Sequence, residues 1–113
     1  MIDKFTDFTK RNHVELREGI VKTVMSYGED TMVCHIALKQ GTRVEPHSHE
    51  ASQNGYVISG KFRLIGKDGE EVWTAHAGCG YYMEPWETHG VEVLEDTEII
   101  EVFSPLRREY IAD

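Results

Sequence analysis

Residues 41–60 of this chain read GTRVEPHSHEASQNGYVISG, and they contain three side chains that can bind a metal ion, His47, His49 and Gln53. The stretch has strand character, because its proline and glycines disfavour a helix and its run of Tyr, Val and Ile favours a strand. Alternate side chains of an extended strand point to one face, so residues 47, 49 and 53 are expected to share a side. On a helix the neighbours lie three or four residues apart, and the same side chains would diverge. The spacing therefore predicts that two imidazoles and an amide converge on one ion.

A fourth ligand is expected from elsewhere in the chain, and the candidate is His89, which ends the segment YYMEPWETH at residues 81–89. Three imidazoles and an amide oxygen suit one divalent ion of the borderline class: Zn, Ni, Fe, Mn, Co or Cu. The amide of Gln53 carries no charge, so the ion would keep its full charge for a Lewis-acid role rather than a redox role. The alternative is that the histidines are exposed loop or turn residues and that Gln53 is polar filler.

The spacing of these residues resembles the cupin family. The first cupin pattern has a glycine at each end and, between them, a His-x-His pair and an acidic ligand. This chain keeps every spacing of that pattern but has Gln in the place of Glu: Gly41, His47, His49, Gln53 and Gly60. The second pattern keeps its Gly and its His but departs at its Pro and Gly positions, reading Gly78, Glu84, Trp86 and His89. The resemblance covers roughly residues 35–103. It implies a cupin-type double-stranded β-helix, that is, a jelly-roll barrel.

The 113 residues indicate a single domain, 1–113, with an N-terminal arm at 1–13 and a C-terminal tail at 106–113. Twelve Lys and Arg against 20 Asp and Glu give a formal charge of −8, which argues against nucleic acids and anionic membranes as partners. No long apolar run and no charged-then-apolar leader occurs, so neither a transmembrane helix nor a signal peptide is expected. The two cysteines, Cys34 and Cys79, are expected to be free, buried thiols of a cytoplasmic protein.

Short strands separated by turn residues, without a helical stripe, predict an all-β fold. Residues 32–38 have apolar side chains on both faces, as in a strand buried between two sheets. Gly60 is expected at a bulge or sharp bend, and Pro105 is expected to end the last strand. Turns are expected at residues 66–69, 78–80 and 95–96, the last of them between strands 91–94 and 97–103.

The segment TEIIEVFSPLRREY at residues 97–110 also resembles one cupin subgroup, the pectin-degradation cupins that linearise unsaturated uronates. That group has Gln among its metal ligands and an Asp-x-Phe-Ser/Thr-Pro-x-Arg segment, which reads here with Glu101, Phe103 and Arg107. The resemblance implies that Glu101 transfers protons, that Phe103 forms a wall of the pocket, and that Arg107 grips the substrate carboxylate. Glu in place of Asp is a departure, since its extra methylene moves the carboxylate by about a bond length.

Without the resemblance, the sequence allows two interpretations of Glu101 and two of Arg107, one functional and one structural. If Glu101 faces the barrel between Ile99 and Phe103, its pKa is raised and acid/base work is favoured; on an edge strand it is a solvent-facing charge instead. Arg107 either holds a carboxylate in a two-pronged hydrogen bond or is, with Arg108, a solvated charge on a tail. The remaining histidines have no partner at ligand spacing and are expected to be structural or at the surface: His13, His35 and His76.

Three functions are open at this point. The leading hypothesis, from the resemblance, is an enzyme that takes the 4,5-unsaturated monouronates left by pectin or alginate lyases and gives the linear keto-aldehyde acid. The second is a small metal-dependent cupin dioxygenase, which needs a redox metal and O2. The third is a non-catalytic module that binds a sugar acid. The resemblance also implies a homodimer, because small cupins usually pair, often by exchanging N-terminal strands.

Overall fold

The structure, a computed structural model, describes residues 3–111, and these fold almost entirely as β-strands. The strands of this part of the chain are β1 Val14–Arg17, β2 Ile20–Tyr27, β3 Met32–Leu38, β4 Arg43–His47, β5 Ser52–Ile65, β6 Glu71–His76, β7 Gly80–Met83 and β8 His89–Ser104. A 3-10 helix at Phe8–Lys10 precedes them, and a short helix, α1, follows at Arg108–Ile111. The all-β prediction is confirmed. Within residues 3–111 no helix has the length and apolar character that crossing a membrane requires.

All the strands belong to one antiparallel sheet with the order β1-β2-β3-β8-β5-β6. The two long strands, β5 and β8, pair with each other, and each is shared between two further strands along its length. The first half of β8 pairs with β4 and its second half with β3, while β7 and β6 pair in turn with the two halves of β5. Because each long strand serves two sets of neighbours, the sheet wraps around a single interior.

The two long strands bend together at Gly60. This residue has φ +94°, which favours glycine, and the register between β5 and β8 shifts on both sides of it. The hydroxyl of Thr97 accepts a hydrogen bond from the Lys61 amide at 3.0 Å and donates one to the Glu95 carbonyl at 2.7 Å. The bulge predicted at Gly60 is confirmed. The turn predicted at residues 95–96 is wrong, because β8 bends opposite the bulge and continues without reversing direction.

β3 contributes one full face to the core. Its inward side chains, at Met32, Cys34, Ile36 and Leu38, are all buried. The outer face is only partly covered, and there Phe8 packs its ring 4.7 Å from that of His35, whose Nε2 lies 2.9 Å from a Glu98 carboxylate oxygen. Both cysteines are free, as predicted; Cys34 is buried, whereas Cys79 is only half-buried.

Both ends of the described chain pack on the barrel. Asp3 forms a bridge with Tyr27, so the described part of the N-terminal arm lies against its own chain, and residues 1–2 lie outside the described residues. β8 ends just before Pro105, as predicted, but the segment after it is a packed helical turn rather than a tail. Its apolar residues contact the core, and the buried ammonium of Lys22 donates to the Tyr110 carbonyl. Residues 112–113 of the predicted tail lie outside the described residues.

Candidate functional site

Three histidines meet where β4 ends and β8 begins. His47 is the last residue of β4, His49 lies in the loop that follows, and His89 is the first residue of β8, directly opposite His47. One ligating nitrogen from each ring lies within 4.8 Å of the other two. The ring centroids are 4.7–5.7 Å apart. The structure thus brings together the three histidines selected from the sequence.

The way they converge differs from the expectation of one continuous strand face. β4 ends at His47, and the chain turns through residues 48–51 before Gln53 enters on β5. The strand has to end here, because β4 and β5 pair with opposite edges of β8 and the chain must cross from one edge to the other. The position of His49 is set instead by a hydrogen bond that its carbonyl accepts from the Trp86 amide at 2.8 Å.

Backbone carbonyls fix the orientation of all three rings. In each ring Nδ1 faces a carbonyl oxygen, from Glu45 for His47 at 2.9 Å, from Ala51 for His49 at 2.8 Å, and from Glu87 for His89 at 2.8 Å. A carbonyl can only accept, so Nδ1 carries the proton, and in the neutral ring Nε2 is left with its lone pair. Burial lowers the pKa of His89, and the adjacent imidazoles of His47 and His49 lower it further. Neutral rings with free Nε2 atoms are the form that ligates metals.

Gln53 places a fourth acceptor atom beside these nitrogens. Its Nε2 donates to the Glu101 carboxylate, which fixes the amide so that Oε1 lies 3.1 Å from Nε2 of His49. Burial and the charge of Arg107 lower the pKa of His49, which disfavours the imidazolium that could donate to this oxygen. Two lone pairs therefore face each other at hydrogen-bond distance, an arrangement that a shared cation relieves. The donor set of three imidazoles and one amide oxygen fits a borderline divalent ion.

A cavity of about 260 Å³ extends from these residues into the barrel. Leu, Ile and Val side chains of the strands are the commonest residues in its wall. Its polar lining is contributed by Arg17, His47, Gln53, Tyr81, His89, Glu101, Arg107 and Tyr110. An apolar cavity with a few convergent polar groups is the usual form of a small-molecule site.

Glu101 is a buried carboxyl on the central strand β8, with only 7% of its surface exposed. Burial raises its pKa, although hydrogen bonds from Tyr81 and Gln53 and the charge of Arg107 oppose the shift. The Tyr81 hydroxyl donates to Oε2 at 2.5 Å, and Gln53 donates to the same oxygen. Because β8 has partners on both edges and Glu101 lines the cavity, the alternative of a solvent-facing edge residue is wrong.

Arg107 follows β8 and also lines the cavity, with its side chain 18% exposed. Its guanidinium lies over the ring of Tyr110, 4.4 Å from the centroid, and it donates to the Tyr110 hydroxyl at 2.9 Å. It also pairs with Glu109 at 3.0 Å. Arg108, in contrast, is exposed. The alternative that both arginines are solvated tail charges therefore holds for Arg108 alone.

Phe103 differs from the expected pocket wall. It is fully buried and does not contribute to the cavity lining. Its ring centroid lies 5.3 Å from the guanidinium carbon of Arg107 and 6.1 Å from the ring of His49. Phe103 thus packs against Arg107 and His49 outside the cavity and does not form part of the cavity wall.

Tyr81 is the residue of this site that sequence reasoning missed. It lies on β7, and its partner Glu101 lies on β8, with β5 between the two strands. The contact crosses a whole strand, so no local spacing links the two residues. Alternation along β7, which turns Tyr81 inward and leaves the next residue, Tyr82, exposed, is the one sequence signal that favours it.

Comparison with known proteins agrees with this fold. Residues 34–104 match the cupin domain family. The pectin degradation protein KdgF of Dickeya dadantii (strain 3937) is 28% identical over 99 residues, which cover 86% of this chain and 88% of that protein. The solved structure of KdgF from Halomonas sp. superposes with a TM-score of 0.85 at 27% identity, over 95% of this chain and 99% of that one. An RmlC-like cupin from Shewanella frigidimarina NCIMB 400 has a TM-score of 0.85 at 24% identity, over 94% of each chain.

Proposed function

The chain belongs to the cupin domain family and has its double-stranded β-helix fold, and from this premise we propose that it is a metal-dependent enzyme that linearises a 4,5-unsaturated monouronate. The product is the open-chain keto-aldehyde acid. The observation that carries the proposal is that one cavity brings together a metal-type donor set, the buried carboxyl of Glu101 and the guanidinium of Arg107. The similarity to the pectin degradation protein KdgF of Dickeya dadantii supports the choice of a uronate as substrate.

The residues that would hold one divalent ion are His47, His49, Gln53 and His89. When bound, the ion supplies Lewis acidity toward a substrate oxygen, and the uncharged Gln53 leaves its charge undiminished. Gln53 has a second task, since its Nε2 holds the Glu101 carboxylate beside the same cavity.

Arg107 binds the substrate carboxylate in this proposal. Its guanidinium is planar, and packing on Tyr110 and Phe103 restricts its rotamers before substrate arrives. A two-pronged hydrogen bond from this group fixes both the position and the orientation of a carboxylate. A chain of net charge −8 needs such local positive charge to accept an anion.

The reaction is an isomerisation, so no oxidant or reductant is consumed. The hydroxyl on C1 loses its proton as the bond between C1 and the ring oxygen breaks, which leaves an aldehyde at C1 and an enolate at C5. The enolate becomes the ketone when C4 gains a proton. We assign both proton transfers to Glu101, which takes up the first proton and delivers one to C4, so the carboxyl ends in its starting form.

The experiment follows the ultraviolet absorbance of the enol ether after the purified protein is mixed with the unsaturated monomer. Absorbance should fall faster than in buffer, and Glu101→Gln, which keeps the shape but not the basicity, should remove most of the acceleration. No acceleration by the wild-type protein rejects the proposal. Strict dependence on O2 would instead favour the dioxygenase, and binding without turnover would favour the non-catalytic module.

We also propose that the protein acts as a homodimer. Tyr56 and Ile58 on β5 and Tyr82 on β7 are large side chains left about half exposed on the outer face of adjoining strands. Such a surface is suited to pairing with a second copy. Light scattering during size-exclusion chromatography should give about twice the chain mass of 13.0 kDa, and a single-chain mass would contradict the proposal.

A further inference from the structure

Tyr81, Gly55 and Glu101 form one row across three strands. Gly55 on the middle strand, β5, lies directly opposite Tyr81 of β7 and directly opposite Glu101 of β8. Because neighbouring strands are about 4.8 Å apart, Tyr81 and Glu101 can touch only by reaching over the middle residue. A Cβ added to Gly55 would overlap the Tyr81 ring and its hydroxyl. The absent side chain at position 55 is therefore what lets Tyr81 reach Glu101.

The contact engages a single oxygen of the carboxyl. Oε2 of Glu101 accepts from the Tyr81 hydroxyl and from Nε2 of Gln53. Oε1 accepts no hydrogen bond from any residue between 3 and 111. The Tyr81 hydroxyl, with its ring seated over Gly55, is a fixed donor that holds Oε2 in place.

We infer that Tyr81, seated over Gly55, is a positioning residue that holds Glu101 with Oε2 occupied and Oε1 presented to the substrate. The inference rests on the proposed function for its catalytic consequence, while the placement of the carboxyl can be observed without turnover. Two donors on one oxygen leave the carboxyl no freedom to exchange its two oxygens or to turn into the cavity wall. Proton transfer then takes place from one defined atom at one defined position.

Tyr81→Phe tests this inference because it keeps the ring and removes only the hydroxyl. We expect kcat to fall about tenfold to 100-fold, since displacement of a reacting group by about 1 Å can cost that much, while KM and metal content stay unchanged. The matched control is Tyr27→Phe on β2, which does not line the cavity, and it should leave kcat unchanged.

Gly55→Ala gives a second route to the same effect. The Gly55 backbone is not in the left-handed region, so the added methyl meets the Tyr81 ring rather than straining its own residue. This variant should lose kcat to a similar extent, and the double variant with Tyr81→Phe should lose little more, because both changes remove the same contact.

Crystal structures of Tyr81→Phe and of the wild type provide the readout that needs no activity. Glu101 should be rotated or occupy more than one conformer in the variant. Wild-type kcat in Tyr81→Phe overturns the inference, and so does a loss of kcat with Glu101 unmoved, because the hydroxyl would then act on the substrate directly. If the wild type has no activity on an unsaturated monouronate, the proposed function fails and the crystal structures alone decide: an unmoved Glu101 overturns the inference.

Discussion

Replacement of Arg107 by alanine should weaken substrate binding without removing the metal. The guanidinium can give a carboxylate two charge-assisted hydrogen bonds, each worth about 1.5–3 kcal/mol. Its side chain is 18% exposed, so solvent screens these bonds little, but binding disturbs the pair with Glu109, which is 62% exposed and worth about 0–1 kcal/mol. The net loss is about 2–6 kcal/mol, which corresponds to a rise in KM of roughly 30-fold to 25,000-fold.

The assay measures initial rates of absorbance loss against substrate concentration, with metal content determined on the same samples. Arg108→Ala is the matched control, since this adjacent arginine is exposed, and it should leave KM unchanged. Arg107→Lys keeps the charge but not the two-pronged geometry and should lie between the wild type and Arg107→Ala. An unchanged KM in Arg107→Ala, or loss of the metal from it, would refute the assignment of Arg107 to the substrate carboxylate.

Further predictions concern other parts of the site. Gln53→Glu should keep the metal but lower kcat at least about tenfold, because a carboxylate cannot donate to Glu101 and adds a like charge beside it; unchanged kcat would contradict this. Trp86→Gly should leave the free energy of unfolding unchanged or raise it by up to about 1 kcal/mol in urea titrations, since Trp86 has φ 63° and is 65% exposed; a clear loss would mean that the indole makes a stabilising contact. Burial, with the nearby charge of Glu101, raises the pKa of Cys34 to about 12, so iodoacetamide near neutral pH should label Cys79 and spare Cys34 in the native protein, as peptide mass spectrometry can check.

The clustering of the candidate ligands could be predicted, because the residue spacings that indicate it are local in the sequence. His47, His49 and Gln53 lie within seven residues of one another, and His89 follows a second spaced pattern. Alternating apolar residues likewise sufficed for the all-β class. The route by which the ligands converge was not predicted, since the end of β4 depends on which edges of β8 its neighbours occupy, and this pairing is long-range.

Features that depend on register between distant strands could not be predicted. The bend at residues 95–96 resembles a turn in the sequence, but Gly60, far away in the chain, makes it a bulged continuation of β8. The contact between Tyr81 and Glu101 also depends on register, because Gly55 of β5 has to lie opposite Tyr81 of β7 and opposite Glu101 of β8. Arg107 was assigned from the family resemblance. Its fixed position comes from the packing of α1 on the core, and no local sequence pattern predicts that packing.

Anomalous diffraction from crystals grown with nickel or zinc, recorded at the absorption edge of the added ion, tests the metal centre most directly. We expect one strong peak per chain at about 2.0–2.2 Å from a nitrogen of His47, His49 and His89 and from Oε1 of Gln53. No peak at this position, or an ion bound there without the amide oxygen of Gln53, would contradict it.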